Sequence, residues 1–230
     1  MHVTRFDRPP HVLARFGPTY AKSRQMPQTT SLAAYEISCL RGGRLLFAGL
    51  SFVLEPGESL LVTGPNGAGK TSLLRMIAGL LPLHAGRIES SDASLALPEL
   101  CHYVGHLNGI KSALTPCENA KFWVDFLGGG GANLDDAFER FGISDLEDLP
   151  AGLLSAGQKR KLALVRLFAA KRPIWLLDEP SVSLDAVSVK VLDKAITQHL
   201  AEGGIGVVVS HTPLKVKFAH ELALKLEPLQ

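Results

Sequence analysis

No stretch of this 230-residue sequence approaches the roughly 18 consecutive apolar residues that a helical membrane span requires. Any role at a membrane would therefore need separate membrane subunits. The three cysteines, Cys39, Cys101 and Cys117, form no CxxC pair. They lack metal-site or redox spacing and read as reduced, mostly packed thiols of a cytosol-like compartment. Neither sign of charge dominates: 24 Lys and Arg face 22 Asp and Glu, for a net charge of +2, which argues against a nucleic-acid partner. No heptad run or internal repeat is visible. What remains is a chain that is 46% hydrophobic, long enough for one α/β domain with a small subdomain and a core that needs no staples.

Acidic residues are almost missing from the first 30 positions. Asp7 stands alone against Arg5, Arg8, Arg15, Lys22 and Arg24, and four prolines interrupt any amphipathic helix. The segment has no secretory h-region. It reads as a disordered extension or an upstream start with Met26 as the true beginning, and an organellar transit peptide is the alternative. Folding is expected to begin near Leu32.

Ala33–Leu40 and Leu45–Leu54 read as two strands joined at Arg41-Gly42-Gly43-Arg44. Glu55-Pro56-Gly57 is a turn into an apolar strand, Leu60–Thr63. A helix is expected over Ser72–Leu80, then short strands to about Val104. The period then changes. Thr115-Pro116-Cys117-Glu118 combines a Thr cap, Pro at the first helical position and Glu at the third, which marks a helix running to Leu127. After the glycine run Gly128–Gly131, Leu134–Phe141 reads as a second helix and Ala156–Lys171 as a third. Residues 107 to about 170 thus form a helical insertion. Ile174–Asp178 and Gly206–Ser210 are short apolar strands of a buried parallel sheet, flanking a helix over Val187–Ala201.

The richest stretch is Gly64-Pro65-Asn66-Gly67-Ala68-Gly69-Lys70-Thr71, followed by Ser72. It fits GxxxxGK[ST] and sits between an apolar strand and a helix, the context that the chemistry needs. Glycines allow successive N–H groups to turn inward on a phosphate, and the helix N-terminus adds partial positive charge there. Lys70 is expected to reach the β- and γ-phosphates and the Thr71 hydroxyl to ligate Mg²⁺. Ile174–Asp178 ends in a pair of acids. Asp178 suits Mg²⁺ through a coordinated water, and Glu179 suits a general base on the attacking water. There is no second phosphate loop.

Leu154-Ser155-Ala156-Gly157-Gln158 opens a helix and resembles the LSxGQ signature of ABC-type ATPases. As five residues alone it is also an ordinary Ser-capped helix. The resemblance extends over about residues 32–227. It implies a P-loop NTPase of the α/β class, with a RecA-like parallel-sheet core, an N-terminal antiparallel β part and the helical subdomain. It also implies that the Ser155 hydroxyl, the Gly157 N–H and the helix N-terminus bind the γ-phosphate of an ATP held by a second copy. Ser183-Leu184-Asp185 resembles the D-loop that crosses such a dimer. Ser210-His211 resembles the switch histidine that contacts the γ-phosphate and positions Glu179 and water.

Two positions depart from the family pattern. The loop into the helical insertion usually begins with Gln, and Tyr103-Val104-Gly105-His106 supplies His106 instead. A neutral imidazole nitrogen can accept from a Mg²⁺-bound water, and it adds pH sensitivity. The aromatic that stacks on adenine has Arg41 at its register, and a planar guanidinium can also stack on a base. Tyr35 lies too far upstream.

Within the family the sequence is most similar to the branch serving cytochrome c maturation, a haem-handling system. The residues that carry this are Tyr103–His106, Gly109-Ile110-Lys111, Leu114-Thr115, Glu118-Asn119, Phe122-Trp123, Leu154–Arg160, Ala163-Leu164, Arg166-Leu167, Arg41–Gly43 and Leu50–Phe52. His106 is itself shared with that branch. The resemblance implies a translocase-class ATPase at the cytoplasmic face of the inner membrane. It would pair with a second copy of itself, dock on integral membrane subunits of the CcmB and CcmC kind, and act indirectly on a haem chaperone of the CcmE kind. An ABC ATPase serving another cargo is the first alternative. A soluble ABC protein acting on nucleic acid or ribosomes is the second, although that class usually carries tandem domains or long coiled coils.

Overall fold

The computed structural model describes residues 29–128 and 134–226. The basic N-terminal segment up to residue 28, glycines 129–131 of the glycine run and the expected boundary at residue 227 lie outside the described residues.

Two sheets organise the chain. The first is antiparallel, in the order β2-β1-β4, and is built from β1 (Leu32–Arg41), β2 (Arg44–Leu54) and, after the next elements, β4 (Ala85–Ser90). Gly42 and Gly43, both at positive φ, close the β1–β2 hairpin where Arg41 pairs with Arg44. β3 (Ser59–Thr63) leads into α1 (Lys70–Ile77). This helix begins and ends earlier than the Ser72–Leu80 read from sequence. Gly79 at φ 69 ends it in a Schellman arrangement, in which Leu80 N–H donates to Arg75 O and Gly79 N–H donates to Met76 O. β4 is followed by a single helical turn, α2 (Leu97–Leu100), in the stretch read as strands only, and then by β5 (Cys101–Val104).

The helical segment contains α3 (Pro116–Leu127), α4 (Leu134–Phe141) and α5 (Ala156–Ala169). α3 starts on the expected capping box: Thr115 Oγ1 accepts from Glu118 N–H and Glu118 Oε2 accepts from Thr115 N–H. β6 (Ile174–Asp178), α6 (Ala186–Ala201), β7 (Ile205–Val209) and β8 (His220–Ala223) complete the chain. β8 has no counterpart in the sequence reading. Its four residues, HELA, carry no strand-length apolar run, and only pairing alongside β3 makes them a strand.

The second sheet is parallel throughout, in the order β5-β6-β7-β3-β8. Its central strands are buried on both faces, which explains their unbroken apolar runs. Ile174 and Leu176 of β6 join Ile205, Val207 and Val209 of β7 in the cluster around α1. Trp175, Leu177 and Val208 face the other side and pack with α5 and α6. Parallel strands all end at the same edge, and in such folds ligands bind outside that edge. The phosphate loop follows β3, His106 follows β5, Asp178 ends β6, and His211 follows β7.

Candidate active site

The phosphate loop is held open by its glycines. Gly64 takes φ 129, and a Cβ there would lie 2.2 Å from the Leu224 carbonyl oxygen. Gly69, at φ 99, forms the N-cap of α1 without any side-chain capping bond. It presses against Phe47 and Leu46 of β2, where a Cβ would come within 2.9 Å of the Phe47 ring. The first N–H groups of α1 have no intrahelical acceptor by geometry and point out of the helix end. The buried Lys70 ammonium donates to Gly64 O at 2.7 Å and Pro65 O at 3.0 Å, spanning the loop.

The loop borders a cleft of about 350 Å³. Asn66, Gly67, Gly69, Lys70, Thr71 and Ser72 of the loop and helix start line it together with His106, Asp178, Glu179 and His211. Thr71 Oγ1 donates to Asp178 Oδ2 at 2.8 Å. Strand register explains the next pair. Asp178 is level with Val209, so Glu179 leaves the sheet level with Ser210, between Val209 and His211. Glu179 N–H donates to Val209 O at 2.9 Å. Glu179 Oε2 accepts from the His211 N–H at 3.1 Å. Glu179 Oε1 is buried without a hydrogen-bond partner, 3.6 Å from His211 Nε2. A carboxylate oxygen in this condition retains a lone pair for a donor such as water. Glu179 adopts φ 49, a left-handed conformation that costs a non-glycine residue on the order of 1 kcal/mol and clusters at functional sites.

The residues present fit a magnesium–triphosphate. One hydroxyl and one carboxylate, already within bonding distance of each other, suit an ion that takes its remaining ligands from phosphates and water. Among the described residues, the cleft included, no group of three or more His, Cys, Asp or Glu side chains is placed to hold a metal ion without such outside ligands.

Other residues singled out from sequence lie away from this cleft. Ser155 caps α5, with its Oγ accepting from Gln158 N–H and its own N–H donating to Gln158 Oε1. The Ser-capped helix is therefore physically real, whatever else the segment does. Leu154 is buried, whereas Ser155 and Ala156 are exposed and Gly157 and Gln158 half-buried. Gly157 lies against Ser183: a Cβ there would sit 2.7 Å from the Ser183 carbonyl oxygen. The signature and the Ser183-Leu184-Asp185 turn thus form one continuous surface. Asp185 caps α6 through Ser188 N–H and pairs with Lys161 at 2.8 Å. The Lys161 ammonium and then the Ser188 N–H hold its carboxyl well below the usual range. Arg41 is exposed at the end of β1 and is not part of the cleft lining.

Leu46 and Val209 line the cleft and were absent from the sequence reading. Both look like ordinary strand residues, and only the packing of β2 on Gly69 and the end of β7 bring them there.

Comparison with known proteins gives the same outline. Residues 47–182 match the ABC transporter family. A Nitrobacter winogradskyi protein named cytochrome c biogenesis ATP-binding export protein CcmA is 49% identical, over 84% of this chain and 97% of its own. The Rhodospirillum rubrum protein of that name is 46% identical, over 88% of this chain and 89% of its own. Among solved structures, a Pyrococcus furiosus protein described as an ABC transporter (ATP-binding protein) superposes with a TM-score of 0.72. It is 23% identical and covers 84% of this chain and 97% of that one, a likeness of fold.

Proposed function

This chain belongs to the ABC transporter family as an ATP-binding subunit, and from that premise we propose that it powers membrane subunits in haem export and cytochrome c maturation. No helix among the described residues is long and apolar enough to cross a membrane; with the relatives' names as support, the proposal places the chain peripherally, on the cytoplasmic face beside those membrane subunits. The relatives' names supply the cargo branch. The observation that carries the chemistry is the paired arrangement at the ends of β6 and β7: Thr71 with Asp178, and Glu179 with His211, beside one phosphate loop.

In this reading two copies face head to tail around two ATP molecules. One copy offers the phosphate loop, and the other offers Ser155–Gly157. Lys70 and the first N–H groups of α1 bind the phosphates. Thr71 Oγ1 and Asp178 would hold magnesium, and His106 lines the same cleft. Bound there, the ion supplies charge neutralisation on the phosphates. Glu179 Oε1 takes a proton from the attacking water. His211, anchored by its own N–H to the same carboxylate, offers its ring to the developing charge on the γ-phosphate. Closure on ATP and reopening after hydrolysis move CcmB- and CcmC-like subunits docked on the helical segment, with a CcmE-like haem chaperone acting downstream.

A deletion strain tests the cargo assignment. Loss of covalently haem-bearing c-type cytochromes with b-type spared, restored by this chain and not by Lys70→Ala, is the expected result. Normal c-type cytochromes, together with recovery of an unrelated permease on pull-down, would assign the ATPase to another cargo.

A further inference from the structure

The geometry points to Arg160 as a positioning residue that ties the helix carrying Ser155–Gly157 to the Glu179 turn and the His106 loop of the same copy. Arg160 lies on the second turn of α5 and is 4% exposed. Its guanidinium has five N–H donors, and five hydrogen bonds use it. Nε donates to Pro180 O at 3.1 Å. One terminal nitrogen donates to Gly105 O at 2.8 Å and Asn108 Oδ1 at 3.1 Å. The other donates to Asp178 O at 2.9 Å and Glu179 O at 2.7 Å.

Three consecutive carbonyls, of Asp178, Glu179 and Pro180, therefore converge on one cation. Glu179, in the middle of the three, makes the left-handed turn, and its carbonyl also accepts from Val182 N–H at 3.2 Å; a buried carbonyl that loses its donor costs about 1–3 kcal/mol. Burial pulls the Arg160 pKa down while Asp178 and Glu179 oppose that pull. The other two acceptors bracket His106, from positions 105 and 108. Arg166, also buried on α5, reinforces the same segment by donating to Asn108 O and covering the Trp123 ring at 4.6 Å. Lysine, a point donor with three N–H groups, cannot reproduce the planar fan.

The consequence rests on the assignment of Glu179 and His106 above. The helix end that would complete a neighbouring copy's ATP site is bolted to the two groups that face this copy's own ATP. A shift of α5 cannot occur without moving both.

The test uses the full-length chain with three substitutions: Arg160→Lys, Arg160→Gln, and Asn108→Ala, which removes a single acceptor and leaves the cation in place. Steady-state turnover, ATP affinity and amide exchange are measured for each. Turnover is expected to fall ~10–100-fold for both Arg160 variants, and by a smaller factor for Asn108→Ala, with ATP affinity within about threefold. Exchange should rise together in residues 105–109 and 179–182. In a Glu179→Gln background Arg160→Lys should cost almost nothing further, since it acts through Glu179. Turnover within threefold of the parent, an equal loss in both backgrounds, or unchanged exchange in either segment would overturn the proposal. Near-normal turnover by Glu179→Gln alone would remove the base assignment, and the exchange measurement would still decide the role of Arg160.

Discussion

Acidification below about pH 6.5 should destabilise this protein through a buried histidine, His102, and a half-buried one, His199. His102 on β5 is 1% exposed, with Nε2–H donating to Ala170 O at 2.7 Å. Burial pushes its pKa down to about 3, the nearby Arg172 and Arg166 assist, and the Ala170 hydrogen bond opposes. His199 on α6 stacks on Trp175 with centroids 4.0 Å apart and planes 8° from parallel. Burial lowers it to about 4, against the Ile205 carbonyl, which accepts from its Nε2 at 3.2 Å. Both folded values lie below the unfolded value near 6.5, so the unfolded chain binds more protons in between. Their contribution is complete above about pH 6.5 and is lost as pH falls toward 4 and then 3. At pH 5 each histidine costs about 2 kcal/mol, and the pair about 4 kcal/mol. That is a large share of the stability of an ordinary domain and lowers Tm by roughly 10 °C. Thermal unfolding followed by circular dichroism at pH 8, 6 and 5 measures it. The double variant His102→Gln, His199→Phe keeps a donor and a stacking ring without a titrating group, and its Tm should change little over that range. A parent Tm that holds between pH 7 and 5, or a double variant with the parent's slope, would refute the reasoning.

Two further outcomes follow from the site. Gly64→Ala places a Cβ 2.2 Å from the Leu224 carbonyl at a φ of 129 that alanine rarely adopts. Destabilisation of several kcal/mol and loss of ATP binding are expected, read by chemical denaturation and nucleotide titration. Glu179→Gln removes the carboxylate that faces His211. It should bind ATP, hydrolyse it at least 10²-fold more slowly and accumulate as a dimer on size-exclusion chromatography, whereas near-normal turnover would exclude a general-base role.

The legible parts of the fold were those whose cause is local. Thr115-Pro116-Cys117-Glu118 states its own helix start, because the cap, the fixed proline φ and the returning glutamate act within one turn. β6 and α4 fall at the bounds read from their apolar patterns. Arg160 and Arg166 were opaque for the opposite reason. Arginines on a helix normally read as a solvated face, and only the approach of residues 105–108 and 178–180 turns them inward. Gly79 shows a nearer miss: the apolar pattern runs through to Leu80, but a positive-φ glycine stops the helix first.

The sequence by itself determined the phosphate loop, the acids that end β6 and the helical signature, since glycine placement, strand-end chemistry and helix caps are encoded within a few residues. Only the tertiary structure decided which of these share a cleft. Parallel pairing of β5, β6, β7 and β3 brings His106, Asp178, Glu179, His211 and the loop to one edge, and the Asp178–Val209 register sets Glu179 beside His211. The same packing leaves Arg41 and Ser155 outside it. Strand order and register depend on contacts between residues far apart in the chain, which no local pattern specifies.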